Sequence, residues 1–252
     1  MGEIRAESVR NIALVSNVGA GKTSLTEALL YASGAIPTLG SVLQGTTVSD
    51  FEPEELHHHC SASTSLLHFT WNQTAITLVD SPGALSLLGE SLSALRAVDA
   101  VIIVLNPDAG VRTELARLWH RVRELDLPCL VFVNGLDKEG ASFDAALDLC
   151  RTQLECAPIP MVLPAHSGSG FDSVIDLLDD TLIRSGCSSP KVERAAVPPA
   201  MEQAVKHARK QLIEAVAERD EGLLNRYLEQ GDLSRDQLVE GLRSDILTRQ
   251  FL

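Results

Sequence analysis

Short apolar runs alternate with amphipathic segments through the first two thirds of the chain. Residues 12–15 form an apolar run that enters a glycine-containing turn. Behind the turn Leu25, Ala28, Leu29 and Ala32 recur on one helical face. Residues 67–71 and 75–79 flank Asn72-Gln73, the pattern of an antiparallel hairpin. A helix is predicted over 85–98, a fully buried strand over 100–105, a helix over 111–125 and another buried strand over 129–133. A helix over 142–154 and a shorter strand over 159–163 follow. This alternation predicts an α/β fold, a mostly parallel sheet covered on both faces with one antiparallel strand.

The character changes after Ala165. A short helix is expected over 171–183, a Ser/Pro/charge-rich connector over 184–199, and a long helical stretch over 201–229. Met201, Ala204, Ala208, Leu212 and Ala215 make the apolar stripe of that stretch. Gly231 interrupts it, and Ser234 with Gln237 forms a capping box for a last helix. The expected organisation is a core domain over 8–165 and a mainly helical subdomain over 166–252. Residues 34–53 and 57–65 have no periodicity, and connections of that length are usually functional. Glu52, Glu54 and Glu55 read as a solvated loop face, and Trp71 and Trp119 as core.

Net charge −13 argues against a broad basic surface for bare nucleic acid, DNA included. No run approaches the ~18 apolar residues of a membrane span, and the N-terminus lacks a signal peptide's apolar core. The five cysteines are Cys60, Cys129, Cys150, Cys156 and Cys187; they contain no CxxC pair and suit a reducing cytosol. Cys129 and Cys150 read as small core residues, while Cys156 and Cys187 show no partner. His57-His58-His59-Cys60 is unsuited to one tetrahedral ion, because adjacent residues converge poorly.

Ser16-Asn17-Val18-Gly19-Ala20-Gly21-Lys22-Thr23-Ser24 lies between the first strand and helix. Backbone N–H groups of such a turn at a helix N-terminus cradle phosphate. Lys22 would reach the terminal phosphates and the Thr23 hydroxyl would ligate Mg²⁺. Asp80-Ser81-Pro82-Gly83 closes a strand, where the aspartate can hold Mg²⁺ through water and the glycine N–H can meet the γ-phosphate. Asn134-Gly135-Leu136-Asp137 closes a later strand. A carboxylate there accepts two guanine hydrogens that adenine lacks, which opposes an ATPase reading.

These motifs, with Gly45–Phe51 and Asp108-Ala109-Gly110-Val111, resemble the GTPase domain of translational GTPases, most closely elongation factor G and its paralogues. The resemblance covers nearly the whole chain. It implies a P-loop GTPase three-layer sandwich with an insert subdomain, binding GTP/GDP and Mg²⁺. It assigns Lys22, Thr23, Asp80, Gly83, Asn134 and Asp137 their phosphate, metal and guanine roles by position, and offers Ser61 to Mg²⁺ where the family has threonine. Lys22 and Gly83 are then the catalytic candidates. The implied setting is the cytoplasm, the implied partner the ribosome, reached through domains beyond this stretch, and a monomer is expected. The sequence ends where the family's last GTPase-domain strand would begin.

Three departures from the family pattern bear on activity. His58-His59 stands for an Arg-Gly pair, Ala84 for the histidine that positions the attacking water, and Gly135 for the lysine that covers guanine. The competing reading is therefore a module that binds GTP or GDP without hydrolysing it. A third reading has Pro164–Gly170 serving as the loop that contacts the base.

Overall fold

The computed structural model describes residues 8–58, 60–185 and 192–247. It divides into two compact units, one reaching Gly135 and including Asp144–Cys156, the other made of Leu136–Phe143 and the chain from Ala157 onward.

In the first unit β1 (Val9–Val15) leads through a turn to α1 (Lys22–Ala32). The buried face of α1 is not the predicted stripe. Ala28 and Ala32 are exposed, Leu25 and Leu29 half-buried, and Thr26, Glu27 and Leu30 buried. Two polar side chains can face inward because each finds partners there. A one-and-a-half-turn helix, α2 (Pro53–His58), interrupts the long connection. β2 (Ser65–Trp71) and β3 (Thr74–Asp80) form the expected hairpin. Asn72 and Gln73 both have positive φ (45° and 66°), the geometry whose twist matches paired strands. Trp71 is 50% exposed, since it ends an edge strand, so it is not a core residue.

The predicted helix over 85–98 is broken into a 3₁₀ turn, α3 (Leu88–Ala94) and a second 3₁₀ turn. β4 (Ala100–Leu105), α4 (Thr113–Glu124), β5 (Cys129–Val133) and α5 (Phe143–Gln153) then follow near their expected places. The sheet order is β2-β3-β1-β4-β5, parallel except for β2. β5 is an edge strand, so Leu130 and Phe132 are 49% and 38% exposed rather than fully buried. A core of β1, β4, α3, α4 and α5 side chains, including Ile103, Leu118 and Trp119, fixes the ends of β1, β3 and β5 where the polar residues gather.

The second unit is not purely helical. β6 (Val162–Pro164), β7 (Ser173–Asp176), β8 (Thr181–Ser185) and β9 (Val192–Ala196) form one antiparallel sheet in that order. The expected short strand near 159–163 thus joins this sheet as β6. The expected helix over 171–183 is instead β7 and β8, joined at a turn where Asp180 takes φ 49°. Phe171, Val174, Ile175, Leu178 and Leu182 match a helical period, but pairing with neighbouring strands decides the outcome. The long helical stretch is two helices, α6 (Glu202–Ala217) and α7 (Glu221–Gln230), parted where Asp220 caps the Leu223 N–H at 3.0 Å. The stripe on α6 turns to Val205, Ala208, Leu212, Ile213 and Val216, leaving Ala204 exposed. Gly231 ends α7 at φ 74°, and Ser234 and Gln237 exchange capping-box bonds ahead of α8 (Arg235–Leu247). Residues 250–252 and Cys187 lie outside the described residues.

Candidate functional site

The turn between β1 and α1 depends on glycine. Gly21, the N-cap of α1, has φ 98°, and a Cβ there would lie 2.1 Å from the Asn134 amide nitrogen. That amide donates to the Ala20 carbonyl at 2.8 Å, tying the end of β5 to the loop. Gly19 also has positive φ (74°). Asn17, 1% exposed, works as a clasp: its amide donates to the Gly110 carbonyl at 2.7 Å, and its oxygen accepts from the Arg112 N–H at 3.2 Å. Arg112 is the N-cap of α4, so two helix starts are fastened together. Ser16 Oγ donates to the Asn17 carbonyl at 2.6 Å and receives the Lys22 ammonium at 3.1 Å. Burial pulls the Lys22 pKa down, against the opposing pull of Asp80 and Asp50. α1 has no acidic residue in its first turn and no side-chain cap, which suits it to an anion.

Beside Lys22 five oxygen-bearing side chains converge from three separate parts of the chain. Thr23 Oγ1 donates to Asp80 Oδ2 at 3.3 Å and lies 3.4 Å from Ser61 Oγ. Ser61 Oγ donates to Asp50 Oδ1 at 2.8 Å, and Thr26 Oγ1 donates to Asp80 Oδ2 at 3.4 Å. Asp80 Oδ1 is buried with no hydrogen-bond partner among the described residues. Burial drives the Asp80 carboxyl up to about 6, opposed by Lys22 and reinforced by Asp50. Burial also raises Asp50, against its bond from Ser61. Carboxylate and hydroxyl oxygens with one orphaned acceptor are the donor set a small hard cation takes, so the residues fit Mg²⁺.

Gly83 lies against the loop: a Cβ on it would meet Lys22 Nζ at 2.7 Å, Val18 N at 3.0 Å and Asn17 C at 3.1 Å. Ala84 follows with extended backbone and no polar atom on its side chain. Gly135 has φ 81° and sits where a Cβ would press the Asn106 amide at 3.2 Å, so a lysine there would be strained. Asp137 is exposed and lies in the segment counted with the second unit. In that unit the Gly168 N–H donates to the Leu136 carbonyl at 2.7 Å, which ties the 164–170 turn to the residue before Asp137.

Sequence reasoning missed four polar residues here: Asp50, Thr26, Glu27 and Glu55. Glu27, 1% exposed, accepts the Val48 N–H at 2.6 Å and the Gly40 N–H at 3.1 Å. Glu55, read as solvated, is 1% exposed and accepts the N–H groups of Phe51, Glu52, Ala62 and Ser63. For Asp50 and Glu55 the available signal was an acidic residue inside a polar, aperiodic segment, which by itself separates no buried carboxylate from a solvated one; Thr26 and Glu27 lie on α1, off the apolar stripe that was expected to face inward. His57, His58 and Cys60 are exposed, and His59 lies outside the described residues.

The model of the elongation factor Tu GTP binding domain matches residues 7–233. Elongation factor G of Thermotoga petrophila is 32% identical over 238 residues, 94% of this chain and 34% of that protein. Elongation factor G of Thermotoga sp. strain RQ2 matches to the same extent, 32% over 238 residues. A crystal structure of a protein from Thermus thermophilus superposes with TM-score 0.84 at 34% identity, covering 95% of this chain and 36% of that one. The chain thus spans about a third of the length of the curated relatives. The phosphate loop, the Thr23–Asp80–Ser61 cluster and these matches lead to one conclusion: the chain belongs to the elongation factor Tu GTP binding domain family, as a translational GTPase domain resembling that of elongation factor G.

Proposed function

We propose that this chain binds GTP and GDP with Mg²⁺ and acts with the ribosome in the cytoplasm, as a GTPase slowed by its own second switch. The observation that carries the reading is Asp80, buried with one oxygen unpartnered among the described residues and the other bonded to Thr23, beside the buried ammonium of Lys22. Residues 16–24 hold the phosphates through backbone N–H groups, and Lys22 places its charge on the terminal phosphate oxygens. Thr23, Ser61 and Asp80 would hold Mg²⁺, with Asp50 fixing the Ser61 hydroxyl, and the ion would supply neutralisation of phosphate charge. The Gly83 N–H meets the γ-phosphate. Asn134 braces the loop, and Asp137, by its spacing, accepts the guanine hydrogens.

Hydrolysis needs a water held in line, and Ala84 offers nothing to hold it. Loss of a positioned group of this kind typically costs about 10²–10⁴-fold. Single-turnover GTP hydrolysis with and without ribosomes tests the proposal. A slow basal rate, stimulated by ribosomes and raised in Ala84→His, is expected. Tight GTP binding with no phosphate release under either condition would establish the non-hydrolysing module instead. Equal competition of bound GTP by ATP would remove the guanine assignment to Asp137.

A further inference from the structure

Residues 37–54 hold their place without an apolar anchor. Leu39, Leu43, Val48 and Phe51 are all exposed, and the buried side chains of the stretch are the polar Thr47, Ser49 and Asp50. A segment with so little apolar burial is positioned by its hydrogen bonds, so losing one of them moves it more than it would a packed element.

The first part of the stretch is a closed lobe. The Ser41 N–H donates to Thr46 Oγ1 at 3.0 Å, and the Thr46 N–H donates back to the Ser41 carbonyl at 3.1 Å, around a 3₁₀ turn at Val42–Gln44. One carboxylate holds both roots of the lobe. Glu27 on α1 accepts the Gly40 N–H on one oxygen at 3.1 Å and the Val48 N–H on the other at 2.6 Å. Bonds to an ionised acceptor are stronger than neutral ones. The fit is close at Gly40, where a Cβ would press Glu27 Oε2 and meet the Thr46 carbonyl oxygen at 2.7 Å and Thr47 Cα at 2.9 Å.

Glu27 stands one turn after Thr23, on the same side of α1. Thr23 meets the later part of the same connection: its Oγ1 lies 3.4 Å from Ser61 Oγ, which donates to Asp50 Oδ1 at 2.8 Å. Asp50 is two residues beyond Val48. A ring therefore runs from Glu27 through Val48, Asp50 and Ser61 back to Thr23, and one helix closes it. The Ser65 hydroxyl, donating to the Ser49 carbonyl at 2.8 Å, is a second tie on the ring.

We propose that Glu27 is a positioning residue for the metal site: by holding Gly40 and Val48 it sets where Asp50 stands, and Asp50 aims the Ser61 hydroxyl. The inference rests on the reading of Thr23, Ser61 and Asp80 as the Mg²⁺ site. Glu27 acts through Asp50 and Ser61, not on the ion itself. Without its carboxylate the stretch stays tied through Ser49, so the cation loses one well-aimed oxygen rather than its whole set.

The test titrates Mg²⁺ against binding of a fluorescent, non-hydrolysable GTP analogue to the whole chain. Glu27→Gln keeps one acceptor oxygen and Glu27→Ala keeps none. Both should raise the Mg²⁺ concentration for half-maximal binding severalfold, the alanine variant more. Gly40→Ala disturbs the same root from the loop side and should shift the requirement as Glu27→Gln does. Affinity for the analogue in EDTA, where the phosphate loop acts alone, should match the parent. Added to Ser61→Ala, Glu27→Gln should bring no further shift, because the two act on one hydroxyl. Without nucleotide, hydrogen exchange at Gly40 and Val48 should quicken in Glu27→Gln. A Glu27→Gln protein less stable in urea but unchanged in Mg²⁺ requirement would overturn the proposal, and so would shifts that add in the double variant. A parent whose analogue binding ignores Mg²⁺ would overturn the metal reading itself, and this inference with it.

Discussion

Glu55 and Asp80 are each 1% exposed, yet the chain around them treats their carboxylates in opposite ways. Burial alone would raise Glu55, but the N–H groups of Ala62, Glu52, Ser63 and Phe51 together pull it below the usual carboxylate value. Asp80 has two hydroxyls on one oxygen, none of the described residues on the other, and a pKa driven up to about 6. The backbone around Glu55 is closed on its carboxylate, whereas the cluster around Asp80 is left electrostatically incomplete. A carboxylate that the protein satisfies is a fastening; one that it buries and leaves short is a place for a cation.

The largest effect should come from taking away the frame of the incomplete side. Gly21→Ala places a Cβ against Asn134 and forces alanine to φ 98°. We expect nucleotide affinity to fall more than about 100-fold and stability by roughly 2–4 kcal/mol. Fluorescent-GDP titration and urea unfolding measure the two; affinity within a few-fold of the parent would contradict the loop geometry.

Asp80→Asn turns the incomplete carboxylate into a neutral group. The folded pKa of Asp80 lies above its unfolded value, so its stabilising contribution is complete below about pH 4 and lost as pH rises through about 6. Without metal or nucleotide, the parent should therefore lose on the order of 3 kcal/mol relative to the variant across that window. Mg²⁺ with nucleotide should restore the parent and leave the variant unchanged. Parallel stability-pH curves for the two proteins would refute the assignment.

Glu55→Ala breaks the closed region. Four backbone N–H groups lose their acceptor, at about 1–3 kcal/mol for a buried group left unsatisfied. The loss should appear as faster hydrogen exchange over residues 51–63, with β1, β3 and β4 still protected. The pH sign is opposite to that of Asp80: the Glu55 contribution is present above its unfolded pKa and lost as pH falls through its depressed folded value. Ser61→Ala should have the smallest effect. It removes one hydroxyl bonded to Asp50, worth about 0.5–1.5 kcal/mol, and should raise the Mg²⁺ concentration needed for GTP binding severalfold. An unchanged Mg²⁺ requirement would exclude Ser61 from the metal site.

Much of this was legible in the residues. The strands of the first sheet, the Asn72-Gln73 turn, the phosphate loop and the Ser234–Gln237 cap all depend on neighbours within a few positions. Apolar spacing, turn chemistry and motif order report such features directly. Thr23, Ser61, Asp80 and Asn134 were named by position, and the fold brings Thr23, Ser61 and Asp80 into one hydrogen-bonded group while Asn134 braces the loop. The rest rests on partners far along the chain. Residues 173–185 carry apolar spacing that suits helix or strand, and only neighbouring strands select the latter. Glu55 reads as a solvated acid until the N–H groups of Ala62 and Ser63 are seen to close on it. The Asn17 clasp spans more than ninety residues. The sequence by itself determined the phosphate loop, the first sheet and the order of the switch motifs, since local periodicity and turn residues encode them. Tertiary structure decided which buried acids are satisfied and which are left short of donors, because that depends on donors the chain delivers from a distance.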